Sequence, residues 1–331
     1  MEVNGYNDSN RAFLQAFMAR STMTFEEAQP VLAAILSAHQ GETVESEHIT
    51  PEDLSSFVET ANSAISPFDL EIRTSRRQDP QETHQNASNT PPVLVYALVN
   101  TTSDPLTQLA TTYSADEIAF VKRVLDYMFD TNNTRRCEGM VISSMQAVQL
   151  HKAGGDRRRT TNLGTQQAEG GAAQNLTMHQ AQDMMKLLTE EGWLEVSRKG
   201  NFSLSPRGLM ELRTWLVSTY NDEDVNGQTV HRIKNCNACK DIITVGQRCD
   251  DRNCLGRLHD HCVRNFFRAR QAEKCPVCKK DWSGENFVGE RAVEAANRPR
   301  PSRSMRQETE ASPELMDEDA GASEYSEEEE G

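Results

Sequence analysis

Residues 236–278 read CNACKDIITVGQRCDDRNCLGRLHDHCVRNFFRARQAEKCPVC and contain seven of the eight cysteines in the chain. Read as metal ligands, the series is Cys236, Cys239, Cys249, Cys254, His259, Cys262, Cys275 and Cys278. Zinc in structural sites takes thiolate and imidazole ligands in tetrahedra of four, so eight ligands complete two sites. The sequence therefore predicts two structural Zn²⁺ ions, with no open position at which a metal-bound water could act as a hydrolytic nucleophile.

A disulfide framework is the alternative for a cysteine-rich segment of this length. The number of cysteines in the cluster is odd, and a histidine stands in the series. The first residues, MEVNGYNDSNRAF, lack the apolar core of a signal peptide. We therefore expect metal-bound thiolates in a reducing compartment, either the cytosol or the nucleus.

The pairwise order of the ligands is that of a RING fold, in which ligand pairs interleave. Pairs one and three would share one ion, and pairs two and four would share the other: Cys236, Cys239, His259 and Cys262, then Cys249, Cys254, Cys275 and Cys278. His261 is the rival of His259. Two residues separate His259 from Cys262, the spacing that suits a ligand pair, so we interpret His261 as a surface side chain.

A plant-homeodomain finger has the same ligand order and would bind histone tails. It usually has an aromatic residue two positions before the seventh ligand, where this chain has Glu273. Pro276, between the last two cysteines, is typical of RING modules. The sequence favours the RING arrangement over the histone reader.

Length and composition indicate several folded modules. At 331 residues the chain has room for about two or three domains. It has no run of about eighteen apolar residues, so no membrane span is expected. Hydrophobic residues make up 37% of the chain and aromatic residues 6%, a lean composition that is typical of folded modules joined by disordered segments.

The charge is distributed unevenly along the chain. The net charge is −15, yet residues 301–331 contain eleven acidic and two basic residues, whereas residues 231–280 contain twelve Lys and Arg and five Asp and Glu. Most of the acidic excess therefore belongs to the tail, and the cysteine-rich module is basic. Such a surface is compatible with nucleic acid, with an acidic protein, or with solvent alone.

The first hundred residues predict three helices followed by two strands. Apolar residues recur at helical spacing in three segments, Arg11–Arg20, Phe25–Ser37 and Leu54–Ile65, the last introduced by a Thr-Pro cap at Thr50. Alternating segments over Leu70–Thr74 and Val93–Asn100 predict a hairpin, interrupted by the polar insert 75–92, which we expect to be mobile. This arrangement indicates a winged helix, with an unspecified small helical domain as the alternative.

Residues 104–220 repeat the plan. Ser114 and Glu117 form a predicted capping box at the first helix. The predicted helices are Ser114–Phe129, Gly139–His151 and Thr177–Glu191, with a mobile loop at 152–174. A hairpin turning at Lys199–Asn201 and a last helix, Leu209–Thr219, follow.

The predicted fold is mainly α with small β-hairpins, in the α+β class. The predicted domains are winged-helix domain A at 1–103, winged-helix domain B at 104–220, a linker at 221–230, a RING-like zinc domain at 231–283 and a disordered acidic tail at 284–331.

Four stretches carry a resemblance to a known family: DSNRAFLQAFMA, VYALVNTTSDPLTQLATTYSADEIAFVKRVLDYMF, FSLSPRGLMELRTWL and the cysteine run. In these, the chain resembles the non-structural maintenance of chromosomes element 1 family, from about Asn10 to Trp282. The resemblance implies a RING-variant ubiquitin ligase subunit of the nuclear SMC five/six complex, acting in DNA repair and replication-fork maintenance. It also implies two partner subunits, the melanoma-antigen-homology subunit (the third non-SMC element) and the kleisin.

A ligase of this kind would orient a ubiquitin-conjugating enzyme and would form no covalent intermediate, so no covalent catalytic residue is expected. By resemblance, its docking residues would be Ile242, Ile243, Pro276 and Lys279, with Lys280 as the alternative to Lys279. Ala238 stands where a larger apolar residue is usual, so we expect activity to depend on the partner. A non-catalytic structural module, or a histone reader, is the alternative function.

Winged helices often place their third helix in the DNA major groove. Here the corresponding helices carry Glu59, Asp183, Glu190 and Glu191 against the single Lys186. This charge opposes phosphate binding. The sequence therefore predicts protein-binding modules, with direct DNA binding weak or absent; Arg157–Arg159 lie in the predicted loop.

Overall fold

The computed structural model describes residues 6–78, 92–101, 112–152, 175–221 and 230–297. Of the predicted insert, loop, linker and tail, residues 79–91, 153–174, 222–229 and 298–331 lie outside these ranges.

The first module contains three helices and a three-stranded sheet. In chain order these are α1 (Asp8–Arg20), β1 (Thr22–Thr24), α2 (Phe25–Gln40), α3 (Pro51–Ile65), β2 (Leu70–Arg76) and β3 (Leu94–Asn100), with 3-10 turns at Ser46–His48 and Ser66–Phe68. The helices start at capping boxes, such as Thr24 with Glu27 and Thr50 with Asp53, which satisfy amide groups that a helix leaves unpaired.

The sheet of the first module has the order β1–β3–β2, antiparallel throughout. The strand β1 is absent from the sequence prediction, because three residues are too few for an alternating pattern to stand out. β2 also continues to Arg76, two residues into the predicted insert. Phe13, Phe17 and Leu54 are fully buried between the helices and the sheet.

The second module repeats this order. It contains α4 (Ala115–Asp126), a π-helical turn (Tyr127–Thr131), β4 (Ile142–Ser143), α5 (Ser144–Gln149), α6 (Met178–Glu190), β5 (Leu194–Val196), β6 (Asn201–Leu204), α7 (Pro206–Glu211) and α8 (Arg213–Tyr220). Its sheet order, β4–β6–β5, is the counterpart of β1–β3–β2. Both modules therefore have the winged-helix plan that the sequence predicts.

Two helix predictions in the second module need correction. The predicted helix Gly139–His151 is confined to α5. The side-chain amide of Asn132 donates to the carbonyl of Val141 at 2.7 Å, and its backbone carbonyl accepts from the amides of Gly139 and Met140. Met140 has a positive φ of 48°, which an α-helix does not allow. The predicted helix Leu209–Thr219 is two helices, α7 and α8, divided at Leu212.

The predicted zinc domain, called the zinc module below, extends past its predicted end at 283. It contains β7 (Gly246–Arg248), β8 (Arg257–Leu258), α9 (Asp260–Arg270), β9 (Phe287–Val288) and α10 (Glu290–Asn297). β9 pairs with β7 through Gly246 and Val288. The predicted start of the tail at 284 is therefore wrong for residues 284–297, where a two-residue strand was too short to leave a periodic signal.

The second module and the zinc module share one hydrophobic core. Ile233, Ile242 and Val288 belong to the same buried cluster as Phe120, Phe129 and their neighbours in the second module. The described residues through Asn297 form one compact unit. None of the described helices is long and apolar enough to cross a bilayer.

Candidate metal centre

The eight predicted ligands lie in two groups of four. Within each group the ligand atoms are all within 4.8 Å of one another. The first group is Cys236, Cys239, His259 and Cys262, and the second is Cys249, Cys254, Cys275 and Cys278. This is the interleaved pairing that the RING reading predicts.

The donor sets fit zinc. Four ligands at about 2.3 Å from an ion lie about 3.8 Å apart in a tetrahedron. The Sγ atoms of Cys249 and Cys278 are 3.5 Å apart, as are those of Cys254 and Cys275. Sulfur and nitrogen in fours, largely shielded from water, are the donors of structural zinc sites.

His259 enters the first group through Nδ1, which is 3.2 Å from the Sγ of Cys239. Its Nε2 faces the carbonyl oxygen of Ile242 at 3.2 Å, so that an Nε2–H can donate to this carbonyl and leave Nδ1 free to bind metal. His261 belongs to neither group. Its ring stacks on that of His259, with centroids 4.9 Å apart.

Two similar turns present the closely spaced cysteine pairs. The amide of Lys240 donates to the carbonyl of Cys236, and the amide of Lys279 donates to that of Cys275. Both lysines have positive φ, 70° and 64°, which bends each turn tightly enough to aim two thiolates at one point. The local sequence therefore closes each turn, and β8 adds support to the first one, where the amide of Asn237 donates to the carbonyl of Arg257 at 2.8 Å.

Gly256 makes the second group possible by its lack of a side chain. A Cβ at this position would lie 2.5 Å from the Sγ of Cys275. The neighbouring Arg257 is only 1% exposed, and its Nη1 donates to the carbonyls of Cys254 and Gly256 at 2.8 and 2.7 Å. Arg257 thus fixes the backbone that carries the ligand Cys254.

The charge of Arg257 is balanced by Glu138, from the second module. Glu138 is 2% exposed and accepts from Nε and Nη2 of Arg257 at 2.8 and 2.5 Å. Lys234 and Arg248 complete the cluster at 2.9 and 3.5 Å. Burial alone would raise the pKa of Glu138, but the hydrogen bonds and charge of Arg257, with those of Lys234, outweigh it and lower the pKa to about 2.

Two of the predicted docking residues are inside the molecule. Ile242 and Ile243 are 4% and 1% exposed, and Ile242 packs into the core shared with the second module. Their assignment to a surface groove is therefore wrong, because sequence alone does not reveal which apolar side chains the fold covers. Pro276 is half-buried and Lys279 is exposed, with its Nζ donating to the Pro276 carbonyl at 2.8 Å.

The surface around the cysteine turns does expose other apolar side chains. Val277 is 48% exposed and Leu255 is 42% exposed, whereas Ala238 is half-buried. Sequence reasoning did not single out Val277 or Leu255. The signal that could have found Val277 is its place beside Pro276 between two ligands.

Comparison with known proteins adds the family context. A family model described as "Nse1 non-SMC component of SMC5-6 complex" matches residues 10–212, and one described as "RING-like domain" matches residues 236–278. The human "Non-structural maintenance of chromosomes element 1 homolog" is 22% identical over 278 residues, which cover 84% of this chain and 85% of that protein. The "Non-structural maintenance of chromosomes element 1" of Schizosaccharomyces pombe is 22% identical over 286 residues, covering 86% and 97%.

Among solved structures, a chain described as "Nse1-Nse3-Nse4 complex" superposes with a TM-score of 0.59 at 20% identity. The match covers 85% of this chain and 99% of that chain. At this identity the likeness shows a common fold.

Proposed function

The chain belongs to the family of Nse1 non-SMC components of the SMC5-6 complex, whose model matches residues 10–212, and we propose that it is a zinc-dependent RING-type ubiquitin ligase subunit of such a complex. The observation that carries this proposal is the pair of interleaved four-ligand groups within a RING-like match. As a subunit of a chromosome-maintenance complex, the protein would act in the nucleus, in DNA repair, recombination and replication-fork maintenance.

Two Zn²⁺ ions would be held by the eight cysteine and histidine ligands. Bound there, zinc would supply folding energy and no reactive water, because each group already offers four protein donors. The remaining work belongs to the surface of the zinc module, which would hold a charged conjugating enzyme in a reactive orientation. With Ile242 and Ile243 buried, this surface would consist of Pro276, Val277 and Lys279.

Discharge of ubiquitin from a charged conjugating enzyme to free lysine tests the ligase. Pro276→Ala should slow discharge without releasing zinc, because proline is no ligand and the side chain only contributes surface. Val217→Ala, which removes an apolar side chain that is 37% exposed on the second module, is the control and should leave the rate unchanged. The proposed activity would be refuted if the unmodified chain, with or without its partner subunits, accelerated discharge from no conjugating enzyme in a broad panel.

We also propose that the winged-helix modules bind the melanoma-antigen-homology subunit, Nse3, and that the pair joins the kleisin, Nse4. The matched solved structure is described as a complex of Nse1 with these two proteins. The second module has a cleft of about 290 Å³ between α6 and the β5–β6 hairpin, lined in part by Val148, Met185, Val196 and Phe202. Val196 is 47% exposed, and nearby Met145 on α5 is 75% exposed. Exposed apolar side chains beside a cleft are typical of protein interfaces.

Direct binding to duplex DNA should be weak. α3 carries Glu52, Asp53 and Glu59 and no lysine or arginine. On α6 the single Lys186 is paired with Glu190 at 3.5 Å. Titration with duplex DNA at rising salt tests this, since phosphate contacts give a steep salt dependence. Tight binding that falls steeply with salt would refute the proposal.

The burial of Ile242 and Ile243 favours a second candidate function, a structural clip. If the zinc module has no ligase role, the closed zinc sites would serve to hold the second module and the C-terminal residues together. Loss of zinc would then impair the complex, while Pro276→Ala would leave DNA repair intact.

A further inference from the structure

The side chain of Gln78, in the first module, reaches into the zinc module. Gln78 lies two residues after the end of β2, and its side-chain amide contacts the loop Ile242–Val245. Its Nε2 donates to the carbonyl of Ile242 at 2.8 Å. Its Oε1 accepts from the amide and hydroxyl of Thr244 at 2.9 and 3.1 Å, and from the amide of Val245 at 3.1 Å. One side chain thus satisfies polar groups at three positions of this loop, Ile242, Thr244 and Val245.

The loop is held from its other side as well. Thr244 is 4% exposed, so its amide depends on protein acceptors. A Cβ at Gly289 would lie 2.6 Å from the Thr244 carbonyl oxygen, which means that the backbone after β9 packs directly on the loop. The loop therefore cannot move away from Gln78 without displacing β9.

The carbonyl that Gln78 holds is also the one that orients a metal ligand. Ile242 O faces both Nε2 of Gln78 at 2.8 Å and Nε2 of His259 at 3.2 Å. The imidazole is thereby turned so that Nδ1 faces the Sγ of Cys239. Partners that orient a metal-binding histidine commonly change metal affinity about 10–100-fold when they are lost.

The second metal group is supported differently. Its turn at Cys254–Gly256 is held by Arg257, and Arg257 is held by Glu138 of the second module. The second module thus supports the second group through Arg257, whereas the contact to Gln78 of the first module is made at the first group.

We propose that Gln78 is a positioning residue for the first metal group, through which the first winged-helix module determines how firmly that group holds its zinc. This inference rests on the proposed zinc occupancy and is independent of ligase activity. It assigns the first module a role inside the zinc centre in addition to partner binding.

Zinc release from the full chain to a chromophoric chelator tests the proposal. In Gln78→Ala, one of the two zincs should be released about tenfold faster than in the unmodified protein, at the lower end of that range because the Ile242 carbonyl itself remains, while the other keeps its rate. Gln29→Ala is the matched control, because Gln29 lies in the same module and donates to Ile49 O at 3.2 Å, within that module. It should leave both release rates unchanged.

Hydrogen exchange at individual amides supplies a readout that does not need zinc. In Gln78→Ala, the amides of Thr244 and Val245 should exchange faster. In Gln78→Glu, the acceptor remains and these amides should stay protected, but the donor to Ile242 O is lost and the first zinc should still leave faster. This variant also covers the case in which Gln78→Ala folds poorly.

Unchanged release from Gln78→Ala would overturn the proposal, and so would equal acceleration of both zincs, which would indicate general destabilisation. Unchanged exchange at Thr244 and Val245 would overturn it as well. A purified unmodified protein that binds no zinc would instead refute the proposed function, and the exchange measurement would still decide the role of Gln78 in the loop.

Discussion

Removal of Glu138 should destabilise the protein more than removal of any exposed carboxylate. Glu138→Ala leaves three cations near one another with no carboxylate: Arg257, Arg248 and Lys234, whose side chains are 1%, 5% and 15% exposed. Breaking a buried ion pair by deleting one partner costs about 3–5 kcal/mol, because the remaining charge stays buried. Arg257 retains its bonds to the carbonyls of Cys254 and Gly256, so we expect a value of about 3 kcal/mol, near the lower end of that range.

Urea unfolding of the zinc-loaded chain measures this cost. The fluorescence of Trp193 and Trp215 in the second module and of Trp282 in the zinc module reports both sides of the interface. Glu71→Ala is the control: Glu71 pairs with Arg73 at 2.9 Å with both side chains more than 40% exposed, and exposed pairs are worth about 0–1 kcal/mol.

A double-mutant cycle with Arg257→Met measures the interaction energy between Glu138 and Arg257 apart from their other contacts. Because the second substitution removes the uncompensated charge, the double variant should be less destabilised than the sum of the single variants. The reasoning would be refuted if Glu138→Ala cost no more than the Glu71→Ala control, or if the two single effects were additive.

The pH dependence of this prediction has a definite sign. The folded-state pKa of Glu138 is lowered to about 2 from 4.5. The stabilisation that its ionised carboxylate contributes is therefore fully present above the unfolded pKa and is lost as the pH falls toward 2. Between about pH 8 and pH 6 Glu138 is ionised in both states, so the stability difference between Glu138→Ala and the unmodified chain should stay constant. A difference that shrinks within this range would contradict the assigned pKa.

Metal analysis should find about two zincs per chain, one in His259→Ala and two in His261→Ala, because only His259 faces the thiolates; two zincs in His259→Ala would refute the ligand assignment. Gly256→Ala should lose the second zinc selectively, since the added Cβ would lie 2.5 Å from Cys275 Sγ; full zinc content would show that the turn can adjust. Chelation should make the unfolding of both the second module and the zinc module less cooperative, because the two share a core. If the second module unfolded as before, the two modules would be shown to fold independently. Val196→Glu should weaken binding to Nse3 about tenfold or more without changing the thermal midpoint, as judged by calorimetry, because it places a charge at an exposed apolar cleft; unaltered affinity would exclude this cleft from the interface.

Local patterns in the sequence determined most of the helices and the candidate ligands. The box of Thr24 with Glu27 and the cap at Thr50 act within one helical turn, so they identify helix starts from adjacent residues alone. The two-residue gaps between cysteines act in the same way, because each turn closes on itself. The division of the eight predicted ligands into two groups of four follows from the sequence if the ligand order of a RING fold is assumed. The structure brings the same two groups together.

Local patterns did not predict the shortest strands or the positions where helices break. β1, β4 and β9 have three residues or fewer, and they exist because a neighbouring strand pairs with them. The helix predicted over Gly139–His151 was shortened by a side chain, Asn132, that lies outside it. Hydrophobic periodicity does not register either effect.

Only the tertiary structure decided how the modules hold the metal centre and which side chains reach the surface. Glu138 and Arg257 are separated by 119 positions, and Gln78 and Ile242 by 164, so no local spacing relates them. Ile242 has the same apolar character in sequence whether it lines a docking groove or fills a shared core, and the packing of the second module places it in the core. Burial and charge compensation depend on which surfaces meet in space, whereas caps and metal-binding turns depend on residues that are neighbours along the chain.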